Sequence, residues 1–207
     1  EGFGGRPAAI RINAVDSADY GDDIVAVRHS AADFIVLPKA ESRKQVHDTA
    51  WLTGKSMLAM IETAAGVLAA GEIVRETAGL IAGTNDLSAD LGLPAGSGLV
   101  HALQAIVLAA RAGGAAAFDG VYNGLDDEEG LAAQCREGRA YGFDGKSLIH
   151  PSQIETANRI FGPSDEEVAA AERLIAAATG GAERFEGRMI EAMHVAEAKA
   201  VIAKTRR

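Results

Sequence analysis

The chain has 207 residues, 48% hydrophobic and 24% charged, enough to bury a core as one globular domain and too apolar for a disordered segment. Its formal net charge of −9, from 29 acids against 20 bases, argues against nucleic acid as a partner, because phosphate binding needs a basic surface. Apolar runs fall short of the roughly 20 residues of a membrane span, no secretory signal opens the chain, and Cys135 is the single cysteine, so no internal disulfide forms and a cytoplasmic protein is expected.

The chain opens at Glu1 in a loop-like stretch, Gly2 to Pro7, that reads as a loop entered midway in a longer protein. Short, nearly all-apolar runs at 9–13, 34–38, 57–61, 79–83, 115–118 and 145–149 predict strands covered on both faces, as in a parallel sheet. Stretches at 20–30, 42–53, 64–76, 98–112 and 127–141 predict the intervening helices. Pro151 suits a first helical position. Ser164 with Glu167 forms a capping-box pattern that opens a helix over 165–179. An Ala-rich run with a basic end predicts a last helix over 188–205.

Six βα units in register predict a (β/α)8 TIM barrel whose first two units are missing from this chain. On that reading residues 1–162 hold strands three to eight. Residues 163–207 form a C-terminal helical extension that contacts a neighbouring subunit. An open doubly wound sheet is the alternative.

In a βα barrel, chemistry sits where strands end. The polar groups there are Arg11, Lys39, Glu41, Glu62, Asn85, Asp86, Asp119 and His150. Glu62 and Asp86 end runs one βα unit apart, on strands expected to be neighbours. Two carboxylates at matching heights repel unless one is protonated or a hard cation such as Mg2+ lies between them. The competing reading makes both of them helix caps.

Arg11 lies inside an apolar run and must be paired if buried, either with a substrate carboxylate that its guanidinium captures or with a structural acid. Gly83-Thr84-Asn85-Asp86 can present successive N–H groups to an anion. His150 could serve as acid or base or merely bond backbone. Lys39 and Lys146 could be solvated rim charges. Cys135 falls in a helical stretch with no activating cluster and reads as a structural thiol. No metal-ligand spacing among the other histidines, and no Walker, G-x-S-x-G or G-x-G-x-x-G element, is present.

Five segments in order resemble the citrate lyase β-subunit-like family of the HpcH/HpaI aldolase group. They are Ile10-Arg-Ile-Asn13, Ile35-Val-Leu-Pro-Lys39, Met60-Ile-Glu-Thr-Ala-Ala-Gly-Val67, Gly83-Thr-Asn-Asp-Leu-Ser-Ala-Asp-Leu-Gly92 and Gly142-Phe-Asp-Gly-Lys-Ser-Leu-Ile-His-Pro-Ser-Gln-Ile154. The resemblance implies a carbon–carbon lyase acting on a 3-hydroxyacyl thioester, with citryl, malyl or citramalyl groups carried on coenzyme A or an acyl carrier protein. It implies Mg2+ on Glu62 and Asp86, Arg11 on the substrate carboxylate, backbone groups of Thr84, Asn85 and Asp86 on a small oxo-acid, and a homotrimer or hexamer. Family members end in a Gly-Lys-Met-Ile-Asp-like motif whose acid reaches a neighbour's site. Here the chain reads Gly187-Arg-Met-Ile-Glu191, so Glu191 is the candidate acid, with a solvent-facing helix residue as the alternative. The other functional readings are a phosphoenolpyruvate- or pyruvate-utilising barrel, which would need Cys135 as its acid, and a non-catalytic subunit of a larger complex.

Overall fold

The computed structural model describes residues 5–94, 96–179 and 181–205. Residues 2–4 of the opening loop expected from the sequence lie outside them. Strands β1 (Ala9–Arg11), β2 (Phe34–Leu37), β3 (Ser56–Ile61), β4 (Gly79–Ala82), β5 (Ala116–Asp119) and β6 (Gly145–Lys146) form one sheet in sequential order, every pair parallel. A doubly wound sheet reverses its strand order at a switch point. No reversal occurs here, and the sheet curls as half of a barrel.

Helices α1 (Tyr20–Arg28), α2 (Arg43–Thr53), α3 (Ala64–Ile73), α4 (Thr84–Asp90), α5 (Val100–Gly113) and α6 (Glu128–Tyr141) occupy the crossovers. The helix starts and stops have local causes. Ser42 and Gln45 make a capping box at the head of α2, and Gly54 ends that helix at φ 67°. Thr63 caps α3 by accepting the Gly66 N–H. The core lies between sheet and helices, with Ile35, Leu37, Met57, Ile61 and Leu80 packed against Ile73 and Ile106. Each such side chain contributes about 1.5–3 kcal/mol of transfer free energy.

A 3-10 turn with Pro151 at its first position leads from β6 into α7 (Ile154–Phe161). Helix α8 (Asp165–Ala177) opens on the expected Ser164–Glu167 capping box. Then the structure departs from expectation. Residues 188–205 are not one helix: β7 (Glu183–Phe185) and β8 (Arg188–Ile190) form an antiparallel hairpin, and α9 (Ala192–Thr205) begins after it and packs on α8. The cause is the two-residue turn Glu186–Gly187, with φ 46° and 80°, whose twist suits a hairpin. Strand β6 is also shorter than its apolar run, because the Ile149 N–H turns to the Gln153 side chain, 3.1 Å away. Among the described residues no helix is long and apolar enough to cross a membrane.

Candidate active site

The carboxyl ends of the strands converge on a cavity of about 140 Å3. Arg11 lines it from β1, Glu62 from the end of β3, Gly83 to Asp86 from the end of β4, Val121 from beyond β5 and Ser147 from beyond β6. Strands β3 and β4 are hydrogen-bonded neighbours with Ile61 opposite Ala82, so Glu62 and Asp86 leave adjacent strands as their spacing suggests.

Glu62 is 5% exposed. Its Oε1 accepts the Lys39 N–H at 2.9 Å, and Lys39 holds a left-handed backbone (φ 47°) to deliver that donor. On its other side Gly83 lies so close that an added Cβ would stand 2.6 Å from Glu62 Oε2. Burial, above all, pushes the Glu62 carboxyl up from 4.5. The Lys39 N–H works against that shift, the Asp86 charge adds to it, and the charges of Arg11 and Lys39 oppose it.

Neither carboxylate is a helix cap. Thr63 caps α3, and Asp86 stands within the first turn of α4, whose N-cap is Gly83. Among the described residues no group of three or more His, Cys, Asp or Glu could hold a metal. A cation at this cavity would therefore take two carboxylates and complete its shell with water and substrate oxygens, the coordination Mg2+ commonly accepts.

Among the described residues β1 pairs with β2 alone, and all three of its residues are exposed. No ion pair engages Arg11 among the described residues, which leaves the structural-acid reading without a partner. Glu191 is exposed at the head of α9, where its N–H donates to His194 Nδ1 at 2.9 Å. It does not line the cavity of its own chain. His150 caps the 3-10 turn by accepting the Ser152 N–H at 3.2 Å. Glu41 lies outside the cavity, its N–H bonded to Gln45 Oε1. Cys135 is fully buried, lines neither this cavity nor its neighbour, and burial pushes its thiol up, disfavouring a thiolate nucleophile.

Lys39 is exposed, but Lys146 is no rim charge. Its Nζ lies 2.7 Å from Asp119 Oδ2, the side chains 1% and 6% exposed. Asp119 Oδ1 accepts the Gly120 N–H at 2.8 Å, and the Gly120 backbone packs directly against the Thr84 side chain. Three features escaped the sequence reading. Ser147 was hidden inside a run read as strand. Val121 carries no polar signal. Asn123 exchanges amide hydrogen bonds with Asn85, 2.8 and 3.3 Å long, across a separation in sequence that no local pattern reveals. A second cavity, of about 430 Å3, shares Thr84, Asn85 and Val121 with the first and runs on past Asp119, Asn123 and Tyr141.

Residues 5–151 match the family described as HpcH/HpaI aldolase/citrate lyase, and residues 98–207 match the family described as C-C bond lyase of the TIM-barrel fold. A (3S)-malyl-CoA thioesterase of Cereibacter sphaeroides is 41% identical across 98% of this chain and 75% of its own length. The citrate lyase subunit beta-like protein of Mycobacterium tuberculosis is 36% identical across 94% of this chain and 75% of its own. Among solved structures, CitE from Mycobacterium tuberculosis in complex with magnesium, acetoacetate and coenzyme A superposes with a TM-score of 0.84 at 35% identity, covering 96% of this chain and 78% of that one. The chain thus spans about three-quarters of the length of these relatives.

Proposed function

The chain belongs to the HpcH/HpaI aldolase/citrate lyase family of enzymes, and we propose that it is a Mg2+-dependent carbon–carbon lyase. Its substrate would be a 3-hydroxyacyl thioester of the citryl, malyl or citramalyl kind on coenzyme A or an acyl carrier protein. The products would be an acyl thioester and a small oxo-acid. One observation carries the reading: two carboxylates from adjacent strands, Glu62 and Asp86, share a small cavity with an unpaired arginine. The relatives add weight, since CitE structures were solved with magnesium and with acetoacetate, oxaloacetate or pyruvate.

Glu62 and Asp86 would hold the Mg2+, which supplies polarisation of the hydroxy- or oxo-acid oxygen when bound. The Lys39 N–H and the closeness of Gly83 fix the direction of the Glu62 carboxylate. Arg11, which makes no ion pair among the described residues, takes the substrate carboxylate through its guanidinium fork and so orients the bond to be broken. Thr84, Asn85 and Asp86 offer N–H groups to the oxo-acid. Loss of the hydroxyl proton with cleavage of the carbon–carbon bond leaves a thioester enolate, which then takes up a proton. Glu191 of a neighbouring subunit is our candidate donor, supported by its exposure and its absence from the lining of its own chain's cavity.

A second reading is hydrolysis of a malyl-type thioester, favoured by the 41% identity to a malyl-CoA thioesterase. A homotrimer or hexamer in the cytoplasm completes the proposal.

A panel of 3-hydroxyacyl thioesters tests the proposal. A lyase releases oxo-acid and acyl thioester in equal amounts; a thioesterase releases free thiol and hydroxy-acid. Oxo-acid release that persists unchanged in Glu62→Ala and Asp86→Ala would refute the site.

A further inference from the structure

We propose that the wall shared by the two cavities is a size filter for the oxo-acid, with Val121 and Asn123 as its specificity-determining residues. This rests on the function proposed above.

The small cavity, about 140 Å3, holds the two carboxylates and Arg11; the larger, about 430 Å3, lies directly behind Thr84, Asn85 and Val121. The wall between them is stiff for identifiable reasons. On one side Asn123 ties down Asn85 with reciprocal amide hydrogen bonds of 2.8 and 3.3 Å. On the other, the Gly120 backbone is wedged against the Thr84 side chain. Gly120 is itself held by Asp119, and Asp119 is pinned by the buried Lys146. A bound oxo-acid that directs its carbonyl and carboxylate toward Arg11, Glu62 and Asp86 must turn its tail to this wall or to the mouth of the cavity.

The larger cavity defines which tails the wall excludes. No Lys or Arg lines it, its Glu137 carboxylate is bonded to Tyr141, and Leu99 and Leu103 supply apolar surface. A second carboxylate on the tail would be repelled there. An uncharged alkyl tail would not. For an oxo-acid bound with its tail on the wall, the intact wall selects the glyoxylate and pyruvate class, and a breached wall admits 2-oxo-acids with longer uncharged tails.

The test is the affinity of the Mg2+-loaded protein for glyoxylate, pyruvate, 2-oxobutyrate and 2-oxovalerate, measured calorimetrically for wild type, Val121→Ala and Asn123→Ala. One methylene in an apolar pocket discriminates by roughly 10–200-fold. We expect wild type to bind pyruvate at least about ten-fold more tightly than 2-oxovalerate, and each variant to narrow that ratio by about ten-fold or more. The ratio is taken within one protein, so partial loss of folded material cancels. Wild type that binds 2-oxovalerate as tightly as pyruvate, or variants that keep the wild-type ratio, would overturn the filter alone. If no oxo-acid binds, or if Glu62→Ala binds as tightly as wild type, the functional reading falls and the filter with it.

Discussion

The Lys39 N–H donates to Glu62 Oε1 at 2.9 Å, and Lys39 itself sits in the left-handed region with φ of 47°. The loop after β2 thus gives up local comfort to aim a donor at a carboxylate after β3. A non-glycine residue in that region costs about 1–3 kcal/mol when its surroundings impose it. Lys39→Gly keeps the N–H and suits the angle, so Mg2+ affinity should stay within about two-fold of wild type. Lys39→Val, β-branched, should lose about 1–2 kcal/mol in denaturant unfolding and bind Mg2+ more weakly. Equal Mg2+ affinity in the two variants would show that the loop does not aim Glu62.

Glu62 itself is held at a cost to the fold. Its carboxyl lies above the usual value of 4.5, burial being the first cause. Raising the pKa of an acid in the folded state means that the charged form opposes folding, fully so above the folded value, with relief as pH falls. Glu62→Gln can keep an oxygen for the Lys39 N–H and drops the charge. In Mg2+-free buffer at pH 8 its melting temperature should exceed that of wild type, while Mg2+-dependent turnover disappears. A lower melting temperature would contradict this account.

Gly83→Ala should damage the same group from the opposite side. The new methyl would stand 2.6 Å from Glu62 Oε2, and such overpacking costs about 1–3 kcal/mol. Loss of Mg2+ binding by calorimetry, with the far-ultraviolet circular dichroism retained, is the expected pair of results.

Lys146→Met leaves Asp119 buried without its cation. Removing one partner of a buried pair costs about 3–5 kcal/mol, visible as a shift in the urea midpoint. The double variant Asp119→Asn with Lys146→Met keeps an acceptor for the Gly120 N–H and should recover most of that loss. A double variant as unstable as the single one would show that the charge pair is not the source of the cost.

Asp144 makes acid sensitivity predictable. Burial raises its pKa as the largest single influence, yet the Arg111 side chain and the Ala117 N–H together hold it below its usual 3.8. A depressed acid stabilises the fold above its unfolded pKa and loses that contribution as pH falls through the folded value. Wild type should therefore surpass Asp144→Asn in melting temperature at pH 6, with the gap closing below about pH 4.

Much of this was legible in the sequence because parallel strands buried on both faces are nearly pure apolar runs, and two of those runs lead into cavity-lining carboxylates, Glu62 and Asp86. Spacing put Glu62 and Asp86 on neighbouring strands but left a shared cation and two helix caps as alternatives. The β7–β8 hairpin was masked by good helix formers: Glu186 in the left-handed region gives no local warning. Ser147 was lost where an apolar run outlasted the hydrogen-bonded strand. The Asn85–Asn123 and Asp119–Lys146 contacts join separate βα units, and pairwise contacts of that kind leave no periodic trace.

The sequential strand order has a consequence for how the molecule comes into being. In the six-stranded sheet every strand after β1 pairs with the strand before it, so each contact that builds that sheet closes a loop of one crossover. Glu62 and Asp86 are brought side by side by β3, α3 and β4 alone. During synthesis from the N-terminus, the Glu62–Asp86 pair therefore belongs to a unit that is complete before the residues of β6, with Ser147 beside them, have been added to the chain.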